Sequence, residues 1–76
     1  MMELVIVGWQ PGLKAISLMD ALRKYKTIGL QKAKQDVDGL LSGESIHLPG
    51  MNAEAIAVAR AELEALGCVC CLVPSH

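Results

Sequence analysis

Three thiols, Cys68, Cys70 and Cys71, crowd the end of the sequence, and their types and spacing come closest to a reaction centre. Thiolates bind soft and borderline metal ions, and adjacent cysteines can exchange disulfides. An extended backbone works against both uses. Successive strand side chains point to opposite faces, so Cys70 and Cys71 diverge. Cys68 and Cys70 then supply two same-side ligands where a structural zinc site needs four. His47 is the other candidate ligand, and no spacing brings it to the thiols. The expectation is reduced thiols acting as small apolar residues, since free Cys is among the most buried types.

The remaining chemistry is sparse. His47 is expected to be packed or solvent-facing, not a catalytic base, and terminal His76 to be disordered. No Ser, His and carboxylate occur in a nucleophile-like arrangement, and Gly8-x-x-x-Gly12 lacks the Lys and Ser or Thr of a phosphate-binding loop. Trp9, in a Gly/Pro setting after the first apolar run, reads as either a lid on the sheet's end or an exposed anchor for a partner, the lid being the favoured reading. These observations predict a protein that is not an enzyme and needs no cofactor.

Composition points to binding instead. A chain of 76 residues with 53% apolar side chains makes one domain, spanning 1–76. A domain this small buries only about 60% of the surface its unfolded chain exposes, so apolar surface is expected to be left for a partner or a second copy. Charge is segregated. Lys14, Arg23, Lys24, Lys26, Lys32 and Lys34 lie between positions 14 and 34, opposed there only by Asp20. From residue 35 onward Asp36, Asp38, Glu44, Glu54, Glu62 and Glu64 face Arg60 alone. A positive patch on an acidic body suits an acidic protein or phosphate. Nucleic acid is disfavoured by the overall acidity and by the lack of aromatics among the basic residues. The first residues include Glu3 in place of a basic leader, and no apolar run approaches about 18 residues. The expected location is cytoplasmic, with no membrane contact.

The elements that must position these side chains can be read in order. Leu4–Val7 is a β-branched run ended by Gly8 and the turn-like Gln10-Pro11-Gly12. From Leu13 to about Lys24, Ala15, Leu18, Met19, Leu22 and Tyr25 recur at helical spacing. Thr27 is placed to cap a second helix running to about Leu41, with the stripe Leu30, Ala33, Val37 and Leu40 or Leu41. Ser45–Leu48 alternates briefly before Pro49-Gly50, as in a very short strand. Asn52 is placed to cap a helix from Ala53 to Leu66, with Ile56, Leu63 and Leu66 inward and Gly67 as the left-handed residue after it. Cys68–Val73 closes the chain as a strand.

The predicted fold class is therefore α+β, a two-layer strand-helix-helix-strand-helix-strand order with a small three-stranded sheet covered by three helices on one side. Both alternating sets in Leu4–Val7 and Cys68–Val73 are apolar, where a half-exposed sheet would show polar residues on one set. The opposite sheet face is thus expected to pack on a second copy, in a homodimer.

With these elements the sequence resembles the C-terminal domain of the bacterial ribosomal stalk protein, large-subunit protein seven/twelve. The likeness runs nearly the whole length. Thr27-Ile28-Gly29-Leu30-Gln31-Lys32-Ala33-Lys34 resembles the family's Thr-Gly-Leu-Gly-Leu-Lys-Glu-Ala-Lys. Glu62-Leu63-Glu64-Ala65-Leu66-Gly67-Cys68 is similar to its Leu-Glu-Glu-Ala-Gly-Ala ending. In that family the first two helices recruit translational GTPases, basic side chains meeting acidic ones. The resemblance implies a partner-binding set here: Arg23 closing the first helix, Lys34 on the second, Gly29 in the turn, Met19 in place of an aliphatic contact, and Lys14 with a one-residue slip.

Two departures bear on that implication. Asp20 stands where the family has a lysine on the contact face, and Lys32 where it has a glutamate. The chain also starts at the first strand, without the family's N-terminal dimerisation domain and hinge, so it is not expected to act as an ordinary stalk protein. A second family sharing the fold is the ClpS-type adaptor that delivers proteins to a AAA+ protease. Its acidic Asn-Asp-Asp loop is Gly8-Trp9-Gln10-Pro11 here, which removes the residues that would hold a substrate's amino terminus. The expected function is a non-enzymatic interaction module binding a protein partner, a translational GTPase by the resemblance; a ClpS-like adaptor and a thiol or metal-binding protein are the alternatives.

Overall fold

The structure is a computed structural model and describes residues 2–74. Six elements follow one another: β1 (Met2–Trp9), α1 (Ala15–Lys26), α2 (Leu30–Leu41), β2 (Ile46–Leu48), α3 (Ala53–Ala65) and β3 (Cys68–Pro74). The sheet has the order β2-β1-β3, with β1 antiparallel to both neighbours. This is the α+β order expected from the residue pattern.

Period-two alternation sorts the sheet's side chains. Leu4 and Ile6 of β1, Ile46 and Leu48 of β2, and Cys68 and Cys70 of β3 enter one buried cluster with side chains from all three helices. Leu18, Ala21 and Leu22 come from α1, Ala33, Val37 and Leu40 from α2, and Ile56, Ala59 and Leu63 from α3. Among the described residues no polar or charged residue is buried. Hydrophobic burial is therefore the principal force, at about 25 cal/mol for each Å² of apolar surface. No helix among the described residues is long and apolar enough to cross a membrane.

Several boundaries differ from the pattern-based reading. β1 continues past Gly8 because Gly8 and Trp9 pair with Val69 and Cys68, and the extra residue Val7 is accommodated as a bulge. α1 starts at Ala15, since Leu13 N–H donates to the Gln10 carbonyl and Lys14 N–H to the Leu66 carbonyl, holding both in a turn. Thr27 does not cap α2. It ends α1 in the left-handed region, with φ of 54°, and Gly29 caps α2 by accepting from the Ala33 N–H. Leu30 was expected in the core stripe but is 55% exposed, because it precedes the first inward residue, Ala33.

At α3 the expected signals are in place. The Asn52 side chain accepts from the Ala55 N–H at 2.8 Å, and Gly67 follows the helix with φ of 103°. The Gly67 carbonyl accepts from Gln10 N–H, so the turn after α3 and the turn after β1 are stitched together. His76 lies outside the described residues.

On the sheet face away from the helices, Val5 is nearly closed off while Val7 and Val69 stay exposed. His47 and Cys71 flank Val5 from either side in the register, and the His47 Nδ1 lies 3.2 Å from the Glu3 carboxylate.

Candidate partner-binding surface

Pairing divides the cations. Lys24 donates to Glu62 of α3 at 3.2 Å and lies over its neighbour Tyr25, 4.7 Å from the ring centre. Lys26 and Lys32 both donate to Asp36, at 2.6 and 3.1 Å, and Arg60 reaches Glu64 at 3.5 Å. Lys14, Arg23 and Lys34 form no ion pair among the described residues, and all three are exposed. These are the three cations of the expected binding set.

The pairs also orient α1. Lys24 marks the flank turned to α3, and Lys26 the flank turned to α2. Met19, Arg23 and Lys26 follow one another at i, i+4 and i+7, so Met19 and Arg23 share the α2 flank. Ile16, three residues before Met19, continues this strip and is 74% exposed. Met19 is half-buried, its side chain packed against the core.

Asp20 lies toward α3. With Ser17, Lys24 and Glu62 it lines a groove of about 330 Å³ between α1 and α3. Asp20 is also four residues after Ile16 and three before Arg23, so the departure from the stalk pattern borders the Ile16–Met19–Arg23 strip.

On α2, Lys34 follows exposed Leu30 by four residues and precedes exposed Leu41 by seven, forming one strip. Lys32 and Asp36 occupy the opposite flank, where their charges cancel. Burial alone would raise the Asp36 carboxyl, but hydrogen bonds from Lys26 and Lys32 outweigh it and hold it below its usual value. The Glu62 carboxylate beside Lys24 raises that ammonium. α1 and α2 pack directly on each other, with the Lys32–Asp36 flank of α2 meeting Lys26 and the Lys34 strip on the other flank of α2.

Gly29 and Lys14 have different standing. A Cβ at Gly29 would meet nothing, and its φ of −76° is open to any residue, so the turn itself does not demand glycine. Lys14 caps α1 at its start and stands roughly 13 Å along the axis from Arg23, nine residues on. Ile16 and Leu30, by contrast, were not picked out as contact residues from the sequence. Their signal was available in Ile16, which falls off the Leu18–Leu22 core stripe.

The thiols are separated as strand geometry requires. Cys68 and Cys70 are buried toward the helices, and Cys71 points to the other face. Burial raises the Cys68 thiol and pushes Cys70 up to about 11, which keeps both protonated near neutrality. His47 and Cys71 are held about 10 Å apart, two strand spacings, with Val5 between them. Among the described residues no three His, Cys, Asp or Glu side chains converge as a metal site. Trp9 ends β1 opposite Cys68 and is 44% exposed.

No family model matches the chain, and no curated protein is significantly similar to it.

Proposed function

We propose that this domain is a non-enzymatic recruiting module that binds an acidic protein surface through α1 and α2, with a translational GTPase as the partner class suggested by the stalk-like segment Thr27–Lys34. The observation that carries this reading is the selective pairing of the cations. Among the described residues four of the seven are neutralised by carboxylates, and the three without an ion pair there, Lys14, Arg23 and Lys34, all belong to the first two helices or their cap. An unpaired surface cation costs the isolated domain little and adds attraction when an acidic partner arrives. Exposed Ile16 and Leu30 supply apolar contact beside those charges, the usual composition of a specific interface. Three cysteines with no disulfide between them suit the cytoplasm, where such a partner operates.

The test is the affinity of the domain for an isolated translational GTPase G domain, measured by calorimetry at several salt concentrations. Replacing Arg23 and Lys34 together by Ala should weaken binding by roughly tenfold or more and flatten its salt dependence. Equal affinity for the variant and the unmodified domain would remove α1 and α2 as the contact. A G domain that fails to bind the unmodified domain at all would remove the GTPase class.

A further inference from the structure

The edge of a β-sheet offers a row of unpaired N–H and C=O groups, and proteins that stay single blunt it with charge, proline, shortness or a covering element. The two edges of this sheet differ in that respect. β2 is three residues long and is followed at once by Pro49. β3 is seven residues long, pairs with β1 on one side, and among the described residues has no strand on the other. Among the described residues, no loop or helix makes a backbone hydrogen bond to residues 68–74. None of its residues is charged, and its one proline is the last residue, Pro74. The bulge that interrupts the β1–β3 pairing inserts its extra residue in β1, at Val7, leaving β3 itself continuous.

We infer that this edge joins two copies of the chain: β3 of one copy pairs antiparallel with β3 of a second about a two-fold axis, doubling the sheet. Identical edges can satisfy one another in this way, because an antiparallel ladder is its own complement under a two-fold rotation. A second copy fits better than a charged partner because β3 presents no charge to be read.

The layer above the edge supports the same occupant. Glu62 marks the flank of α3 turned to α1. The opposite flank, with Ile56, Ala57 and Arg60, lines an apolar groove of about 610 Å³ together with Met2, Met51 and Leu72. Leu72 belongs to β3, so the groove runs beside the open edge, and a mate docked there would close it. The flank's two charges, Arg60 and Glu64, are opposite in sign. Two copies can therefore set Arg60 of one against Glu64 of the other, which avoids like-charge conflict.

Edge pairing also does more than stacking of the outer sheet faces. Stacking would cover Val7 and Val69, with Val5 already closed by its neighbours. Edge pairing covers Val69 and Leu72 on the two sides of β3 and satisfies the backbone groups between them. In the register that overlaps β3 fully, the central residue Cys71 faces the second copy's Cys71. Directly opposed residues of an antiparallel pair have Cα atoms about 4.5–5.5 Å apart, within the span of a disulfide.

The experiment follows the mass of the full chain by sedimentation from micromolar to millimolar concentration, with amide exchange of β3 read alongside. A reversible dimer is expected, with β3 amides slowing at least tenfold as it forms. Leu72→Lys, at a half-exposed position, should shift the equilibrium to monomer, while Val7→Lys on the outer face leaves the dimer intact. Copper phenanthroline, which oxidises two thiols to one disulfide, should cross-link the protein, and Cys71→Ala should abolish the cross-link. The exchange measurement on the unmodified protein decides the matter even where a variant fails to fold. A chain that stays monomeric throughout, a dimer whose β3 amides exchange as fast as the monomer's, or one dissolved by Val7→Lys but not by Leu72→Lys would overturn the inference.

Discussion

The Lys26 ammonium lies 2.6 Å from the Asp36 carboxylate, and both side chains are largely withdrawn from water, 19% and 10% exposed. This pair fastens the end of α1 to the middle of α2 across a turn in which Thr27 is held in a left-handed conformation. It therefore sets the angle between the two helices that carry the proposed contact surface.

Removing the anion should be costly at this site. Asp36→Asn leaves Lys26 partly buried without its counter-charge, and a loss of about 1–3 kcal/mol is expected in urea unfolding. Lys32→Ala removes only the exposed member of the trio and should cost less than about 0.5 kcal/mol.

The same pair predicts a pH dependence. Asp36 is held below its ordinary value of 3.8, so the folded state releases its proton more readily than the unfolded chain. The stabilisation is complete above that unfolded value and is lost as pH falls through the lower folded value. The urea midpoint of the unmodified domain should decline across this acid range, and Asp36→Asn should show a shallower decline.

Thr27 offers a substitution in the other direction. A β-branched residue at positive φ is strained, and glycine adopts that conformation without steric clash, a gain that its greater freedom in the unfolded chain only partly offsets. Thr27→Gly should raise stability by roughly 0.5–1 kcal/mol, read as a higher melting temperature, with Arg23 and Lys34 untouched.

Gly67 predicts the reverse. At φ of 103°, an added Cβ would stand 3.0 Å from the Leu13 Cα, a backbone atom that can give way only by moving the turn before α1. Gly67→Ala should destabilise by about 1–3 kcal/mol in thermal or urea unfolding.

The thiols should react in a fixed order. A thiol-reactive dye at neutral pH should label Cys71 first, with Cys68 and Cys70 protected by burial and by their raised values. Because Cys70 is raised from 9.0 to about 11, the unfolded chain loses that proton first, and stability should fall as pH climbs between those values.

Much of the architecture was legible before any coordinates. The alternation in β1 and β3, the helical stripes around Leu18 and Leu22 and around Ala33 and Val37, and the Asn52 and Gly67 signals bracketing α3 are local features. Each depends on spacing within a few residues, where backbone geometry alone decides which side chains share a face. Leu30 and Thr27 escaped because a turn's conformation depends on where the next helix must go, and propensity at one residue is too weak to overrule packing.

The sequence by itself determined the fold class, the element order, the crowding of cations between positions 14 and 34, and the divergence of the thiols along β3. Only the tertiary structure decided which cations are cancelled. Lys24 meets Glu62, thirty-eight positions away, and Lys26 meets Asp36 across a helix turn. Charge pairing is a matter of distance in space, and distance between residues far apart in the chain is set by packing of the shared core. The same packing left β3 at the edge of the sheet, which a pattern along one strand cannot reveal.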